Sequence, residues 1–261
     1  MFSRTLAKLS ASLPSSVKYH LAALKPAYVS VMGLAQRDVV VETIAGSLRW
    51  KIDGLTSQQF LLGTYEPYMQ EAFIEYVRKG DVVYDVGAHA GYHSLFCSLL
   101  VGSTGTVCAF EPNPKNFVSI TRQLRLNSPN QVCLLPYALS DRSAVARLDT
   151  SHGPSQGQLS SSGDTQVEAR TIDSLVADGS CPAPNVMKID VEGHEHEVLI
   201  GAMNTLRKHK PIVLCDYNDD QTHALVTNIL GPLSYEVRKG PPVIALPKEF
   251  RKDKSQQGAG S

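Results

Sequence analysis

A doubly wound α/β sheet is the fold this chain predicts, on three observations. Short apolar runs alternate with helix-length amphipathic segments between residues 82 and 229. A glycine-bearing turn, Asp85-Val86-Gly87-Ala88-His89-Ala90-Gly91, joins the first run to the helix after it, and the next run ends on an acid, Glu111. Strands this short and apolar, spaced by helices, belong in a parallel sheet covered on both faces, and right-handed crossovers wind it in two directions.

The elements follow in order. Residues 39–43 and 47–52 flank Ala45-Gly46 and read as a β-hairpin. Met69, Ala72, Phe73, Tyr76 and Val77 recur at three and four, predicting a helix over 67–79 that Gly80-Asp81 ends. Strands are expected at 82–86, 106–110, 132–135, 186–189 and 212–215. Helices are expected at 94–101, around 117–124, through 198–206 and near 220–229. Between the third and fourth strands the pattern breaks. Residues 151–165 are rich in Ser, Gly and Gln and predict a surface loop that could act as a flap, and the flanking 147–148 and 167–170 could pair as an extra hairpin. We therefore divide the chain into an N-terminal extension of basic helix and hairpin (1–60), a main α/β domain (61–250) and a disordered tail (251–261).

Composition narrows the function. Basic and acidic residues balance at 25 each, so nothing steers the chain toward polyanions and nucleic acid is not an expected partner. No apolar run is long enough to span a membrane, which takes about 18 residues. The five cysteines show no CxxC spacing and read as buried, reduced thiols in a cytoplasmic protein. The first 37 residues carry five basic side chains and no acid. That composition suits an organelle-targeting segment or a helix on a membrane surface as well as a basic helix on the domain; the last is the expectation here.

The glycine turn sits where open α/β sheets bind ligands, at the carboxyl ends of the strands. Its spacing is Gly-x-x-x-Gly, with His89 and Tyr92 where a dinucleotide fingerprint has glycines, and no Walker lysine follows. Alone, such a turn is also compatible with a tight bend that binds nothing. Glu111 changes the balance, because an acid at the end of the second strand accepts charge-assisted hydrogen bonds from a ribose diol. Pro112 stops the strand behind it, and Asn113 is placed to cap the next helix. Turn and acid together favour an adenosine cofactor.

With these pieces in place the chain resembles the FkbM family of class I methyltransferases. The matching segments are Tyr65-Glu66-Pro67, 80–92, Ala109-Phe110-Glu111-Pro112-Asn113-Pro114, Ala138-Leu139-Ser140-Asp141, 171–175 and Met187-Lys188-Ile189-Asp190-Val191-Glu192-Gly193. The resemblance implies a mostly parallel, seven-stranded Rossmann-like sheet with a reversed final hairpin. It implies methyl transfer from S-adenosyl-L-methionine, usually to oxygen on a small molecule, sugar or glycan. It places Asp85, Gly87 and Gly91 around the methionine part of the cofactor, with His89 where the family commonly has Asn. Glu111, followed by Pro112 and Asn113, holds the ribose; Ala138 and Leu139 flank the adenine; Asp190 lies near the sulfonium; Glu66 reaches the cofactor from the entry segment.

Removing a proton from an alcohol acceptor needs a base or a metal. Asp190 is the first candidate for a catalytic or orienting carboxylate. Glu192 and His194 are candidates for acceptor binding or proton removal, against the plainer roles of helix-start charge and solvated surface. Asp190, Asp216 and Asn218 end neighbouring strands and could hold a divalent ion, although capping of the next helix is the favoured role of the acids around 216–220 and no metal is expected. Two rival functions remain at this stage: a dinucleotide oxidoreductase on a similar sheet, and a non-catalytic adaptor that kept the cofactor site.

Overall fold

The structure is a computed structural model, and it describes residues 38–150, 157–160, 162–216 and 220–250. The expectations for the basic N-terminal helix and the C-terminal tail lie outside the described residues. β1 (Asp38–Thr43) and β2 (Gly46–Lys51) form the expected hairpin. It buries Val41, Leu48 and Trp50 against Phe60, Tyr92 and Leu95. Asn127 and Gln123 pin its second strand by accepting from the Arg49 and Lys51 amides at 2.8 and 2.9 Å.

Two helices lead into the sheet: α1 (Gln58–Leu62) and α2 (Pro67–Tyr76). The parallel core follows as β3 (Val82–Val86), α3 (Tyr92–Val101), β4 (Thr106–Phe110), α4 (Pro114–Asn127) and β5 (Val132–Leu135). Farther along come β10 (Val186–Ile189), α6 (Glu195–Ile200), α7 (Met203–His209), β11 (Ile212–Cys215), α8 (Asp220–Leu230), β12 (Tyr235–Arg238) and β13 (Val243–Pro247). The seven strands lie in the order β12-β13-β11-β10-β3-β4-β5. β13 runs antiparallel to β11 and β12, and the other neighbours are parallel. This is the doubly wound sheet with a reversed final hairpin.

Both faces are covered, which is why the inner strands carry few polar side chains. α2 and α3 pack Met69, Phe73, Phe96 and Val101 on one face through Val83, Val107 and Leu214. α6, α7 and α8 pack Val198, Leu206 and Leu230 on the other through Tyr84, Met187 and Val213. All five cysteines are free, but Cys133 is exposed rather than buried, because β5 is the edge strand; the other four are buried as expected.

Two local expectations change. The single helix expected through 198–206 is two short ones. A Cβ at Gly201 would overlap the carbonyl of Ser140, so the chain turns there under a close backbone approach, and Asp173 caps the restart by accepting from the Asn204 and Thr205 amides. Strands 147–148 and 167–170 do pair, within a larger unit. β6 (Tyr137–Leu139), β7 (Ala144–Asp149), β8 (Gln158–Leu159) and β9 (Thr165–Arg170) form a separate four-stranded sheet ordered β6-β9-β7-β8, followed by α5 (Ile172–Ala177). β8 falls inside the segment expected to be loop, of which 151–156 and 161 lie outside the described residues. Among the described residues no helix is long and apolar enough to cross a membrane.

Candidate functional site

A cleft of about 300 Å³ opens at the carboxyl ends of β3, β4 and β10, the lower end of the range for small-molecule sites. The strand ends contribute Gly87, His89, Glu111 and Asp190. The entry segment contributes Tyr65 and Glu66, and the four-stranded sheet contributes Ala138, Leu139, Leu148 and Leu159.

The glycine turn is built by contact between neighbouring strands. Gly87 has φ 79°, and a Cβ there would overlap the Asp190 carbonyl oxygen. Approach of the β10 end therefore demands glycine at this position, independently of any ligand. Gly91, at φ 83°, starts α3, and a Cβ there would press on Ile120 at 3.0 Å. His89 takes the left-handed conformation at φ 50°. That aims its amide at Glu111 Oε2, 2.8 Å away, while its ring lines the cleft.

Glu111 is 5% exposed and accepts from three donors: the His89 amide, the Asn113 amide at 2.8 Å and Asn116 Nδ2 at 3.3 Å. Burial still pushes its carboxyl up to about 7, the donors opposing that rise. Asn113 also fills its capping role, accepting from the Lys115 amide at the start of α4.

Lys188 anchors the floor of the site. It is the single charged residue of β10 and only 2% exposed. Its Nζ donates to the Gly87 carbonyl at 2.8 Å and pairs with Asp85 at 3.1 Å and Asp190 at 3.4 Å. Burial pulls the ammonium down, but Asp85, Asp190 and Glu66 outweigh it and hold Lys188 protonated. Burial likewise acts to raise Asp85, and the Lys188 charge overturns it, so the carboxyl lies below its ordinary value. Ser94 donates to its other oxygen at 2.6 Å.

Most of the residues singled out from the sequence converge here. Glu66, Gly87, His89, Glu111, Pro112, Asn113, Ala138, Leu139, Asp190, Glu192 and His194 all line the cleft. Asp85 and Gly91 do not: Asp85 is wholly buried and reaches the cleft only through Lys188, and Gly91 is buried behind the turn. Glu192 adopts φ 54°, its carboxyl is raised by burial and by Asp190, and its carbonyl accepts from Gln158 of β8 at 2.7 Å. His194 is held at both ring nitrogens, by Ser140 at 3.0 Å and Glu197 at 3.5 Å. His196 is exposed beside Glu197 and takes no part. Asp216 lines the cleft and accepts from the Tyr68 hydroxyl at 3.1 Å. Asn218 and Asp219 lie outside the described residues. Among those described, no three His, Cys, Asp or Glu side chains gather as a metal site.

Lys188, Tyr65, Asn116 and Ser140 also build the site, and no motif in the sequence marks their roles. Lys188 had a signal: a lone cation in Val-Met-Lys-Ile is costly inside a sheet unless acids from a neighbouring strand meet it. The other three are recognisable only once distant segments meet.

Comparison with known proteins decides the family. Residues 85–239 match the methyltransferase FkbM domain. A curated relative, hexuronic acid methyltransferase AglP of Haloferax volcanii, is 33% identical over 208 residues, which cover 78% of this chain and 80% of that protein. The chain belongs to the FkbM methyltransferase family. It is an S-adenosylmethionine-dependent methyltransferase, and the oxidoreductase and adaptor alternatives fall away. Among solved structures, a methyltransferase FkbM from Methylobacillus flagellatus is similar over 73% of this chain at 18% identity, with a TM-score of 0.48; this chain spans 55% of its length. A precorrin-6y C5,15-methyltransferase from Geobacter metallireducens is similar over 74% of this chain and 89% of its own, at 15% identity and a TM-score of 0.47.

Proposed function

We propose that this methyltransferase binds S-adenosylmethionine in the cleft and transfers its methyl group to a hydroxyl of a sugar or sugar-like small molecule. One observation carries the cofactor placement. Glu111 is fixed by three donors at the end of β4, beside the glycine turn, and its Oε2, which takes only the His89 amide, keeps a lone pair for a ribose hydroxyl. Polar atoms fit the same reading. His89 Nε2 and Asn113 Nδ2 are buried in lining residues and have no hydrogen-bond partner among the described residues, and buried polar groups rarely stay unpaired without a ligand.

When bound, the cofactor supplies an electrophilic methyl on a cationic sulfur. Asp190, steered by Lys188, supplies the carboxylate field for that charge. A carboxylate about 4 Å from a cation contributes roughly 4 kcal/mol at an effective dielectric near 20, before desolvation is subtracted. Ala138 and Leu139 offer the adenine an apolar side. Gly91 and Asp85 serve from behind, one starting α3 and the other holding Lys188. Glu192 and His194 stand at the acceptor side, where the ring of His194, braced by Ser140 and Glu197, can orient the acceptor. The acceptor class follows the relative that acts on a hexuronic acid.

Equilibrium dialysis with S-adenosylmethionine and NAD side by side tests the cofactor. Binding of the first and not the second supports the reading; preference for NAD refutes it. Labelled-methyl transfer to hexosides then tests the acceptor class, and transfer only to non-sugar acceptors refutes it.

A further inference from the structure

We propose that Glu66 is the general base that takes the proton from a neutral hydroxyl acceptor, an assignment that rests on the sugar-hydroxyl reading above. It replaces the cofactor contact expected for Glu66 from the resemblance.

The backbone gives the first argument. Glu66 holds the left-handed conformation (φ 42°, ψ 68°) at the N-cap of α2, yet its side chain makes no capping bond. The ordinary reason for a polar residue at that position is absent. The conformation is held by the helix start: the Glu66 carbonyl accepts from the Met69 and Gln70 amides, and Pro67 follows at the first helical position. Strain of this kind gathers at working sites. Its consequence here is a carboxylate lining the cleft.

The second argument is the free oxygen. Glu66 Oε2 is buried and has no hydrogen-bond partner among the described residues. Its neighbour His93 Nε2 stands 3.6 Å away, and burial holds that imidazole near 3, so it is neutral. Four other ionisable groups lining the cleft are engaged. Glu111 accepts from three donors, Asp190 pairs with Lys188, Asp216 takes the Tyr68 hydroxyl, and His194 is braced at both ring nitrogens. Glu192 and His89 are the remaining rivals: Glu192 is less enclosed, and burial and the Lys188 charge lower the His89 imidazole, which weakens it as a base.

Basicity agrees with this geometry. Around Glu66 stand Tyr65 beside it, Tyr68 of α2, His93 of α3, Lys188 of β10, Asp190 just beyond β10 and Asp216 beyond β11. Burial raises the carboxyl, Lys188 and the Tyr65 hydroxyl lower it, Asp190 and Asp216 raise it, and the result is about 7. A base in that range is half-ionised at neutral pH and basic enough to assist an alcohol. The step balances. The acceptor oxygen bonds to the methyl carbon, the carbon–sulfur bond breaks with its electron pair left on sulfur, and the hydroxyl proton passes to Glu66 Oε2. Glu66 returns the proton to solvent through the cleft mouth once product has left.

The test uses the full chain, Glu66→Gln, Glu66→Asp and Glu192→Gln, with methyl glucopyranoside as the neutral acceptor, labelled S-adenosylmethionine for turnover and calorimetry for its binding. Glu66→Gln is expected to lower kcat by about 100-fold or more, to leave the Kd for S-adenosylmethionine within about threefold, and to abolish the rise of kcat/KM through about pH 7. Glu66→Asp is expected to keep that rise at a reduced kcat, which separates lost basicity from lost folding. A tenfold or larger loss of S-adenosylmethionine affinity in Glu66→Gln overturns the proposal and places Glu66 on the cofactor. So does an unchanged kcat, or a pH limb that disappears in Glu192→Gln and survives in Glu66→Gln. Wild-type protein that binds S-adenosylmethionine but methylates no hexoside overturns the acceptor reading and this assignment with it.

Discussion

The two sides of the cleft are held together by different physics. On the β3–β10 side, a fully buried lysine binds Asp85, Asp190 and the Gly87 carbonyl, and the backbones approach so closely that only glycine fits. On the small-sheet side, Leu148, Val167, Ala138 and Ala169 form a thin apolar cluster, and single hydrogen bonds reach the opposite rim, from Gln158 to the Glu192 carbonyl and between Ser140 beside β6 and His194. The first side admits almost no change and suits a ligand of fixed charge. The second is held by apolar contact and tolerates variation. Charge networks make a site rigid, because removing one member strands the others.

That contrast is open to attack in order of effect. Gly87→Ala forces a methyl onto the Asp190 carbonyl at a positive φ, and is expected to abolish both soluble folded protein and cofactor binding; a variant with a normal melting curve breaks the claim of close approach. Lys188→Met leaves Asp85 buried without its cation, and loss of one partner of a buried pair costs about 3–5 kcal/mol, which urea unfolding would read. The same pair predicts a pH window. Asp85 is depressed in the folded state and Lys188 is raised, so their contribution is full between the ordinary carboxyl and ammonium ranges. It is lost as acid protonates Asp85 or strong alkali neutralises Lys188; a melting temperature flat across the acidic limb would contradict this.

On the softer side, Leu148→Ala should cost about 2 kcal/mol while leaving the cofactor Kd within about threefold, and an equal loss of both would erase the distinction between the sides. Glu66→Gln should stabilise the protein at alkaline pH. The folded carboxyl titrates about 7 against an ordinary 4.5, so folding takes up a proton and wild-type stability falls as pH rises between those values. The variant escapes that fall, gaining about 1–3 kcal/mol by pH 8. Gln158→Ala should be the mildest, about 0.5–1.5 kcal/mol.

Legibility in the sequence follows the same division. The inner strands of the parallel core, β3, β4, β10 and β11, are apolar runs bounded by turn residues, and their limits are readable because burial on both faces leaves no alternative pattern. The glycine turn and Glu111 are readable because their roles depend on order along one βαβ unit. What was not readable depends on distant contacts. Lys188 finds Asp85 across two strands, the Ser140 carbonyl breaks the α6–α7 helix at Gly201, and a three-residue β6 joins β9 only after the loop has returned. Cys133 looks buried because a strand's face is visible in sequence, whereas its place at a sheet edge is not.

The central claim, that Glu111 and the glycine turn grip the adenosyl part of the cofactor, is tested most directly by calorimetric titration of Glu111→Ala with S-adenosylhomocysteine. That ligand lacks the sulfonium charge and so isolates the ribose contact. A charge-assisted hydrogen bond contributes roughly 1.5–3 kcal/mol, so the expected result is a Kd weakened by about tenfold or more in a variant that still melts cooperatively. An unchanged Kd in a folded variant would contradict it.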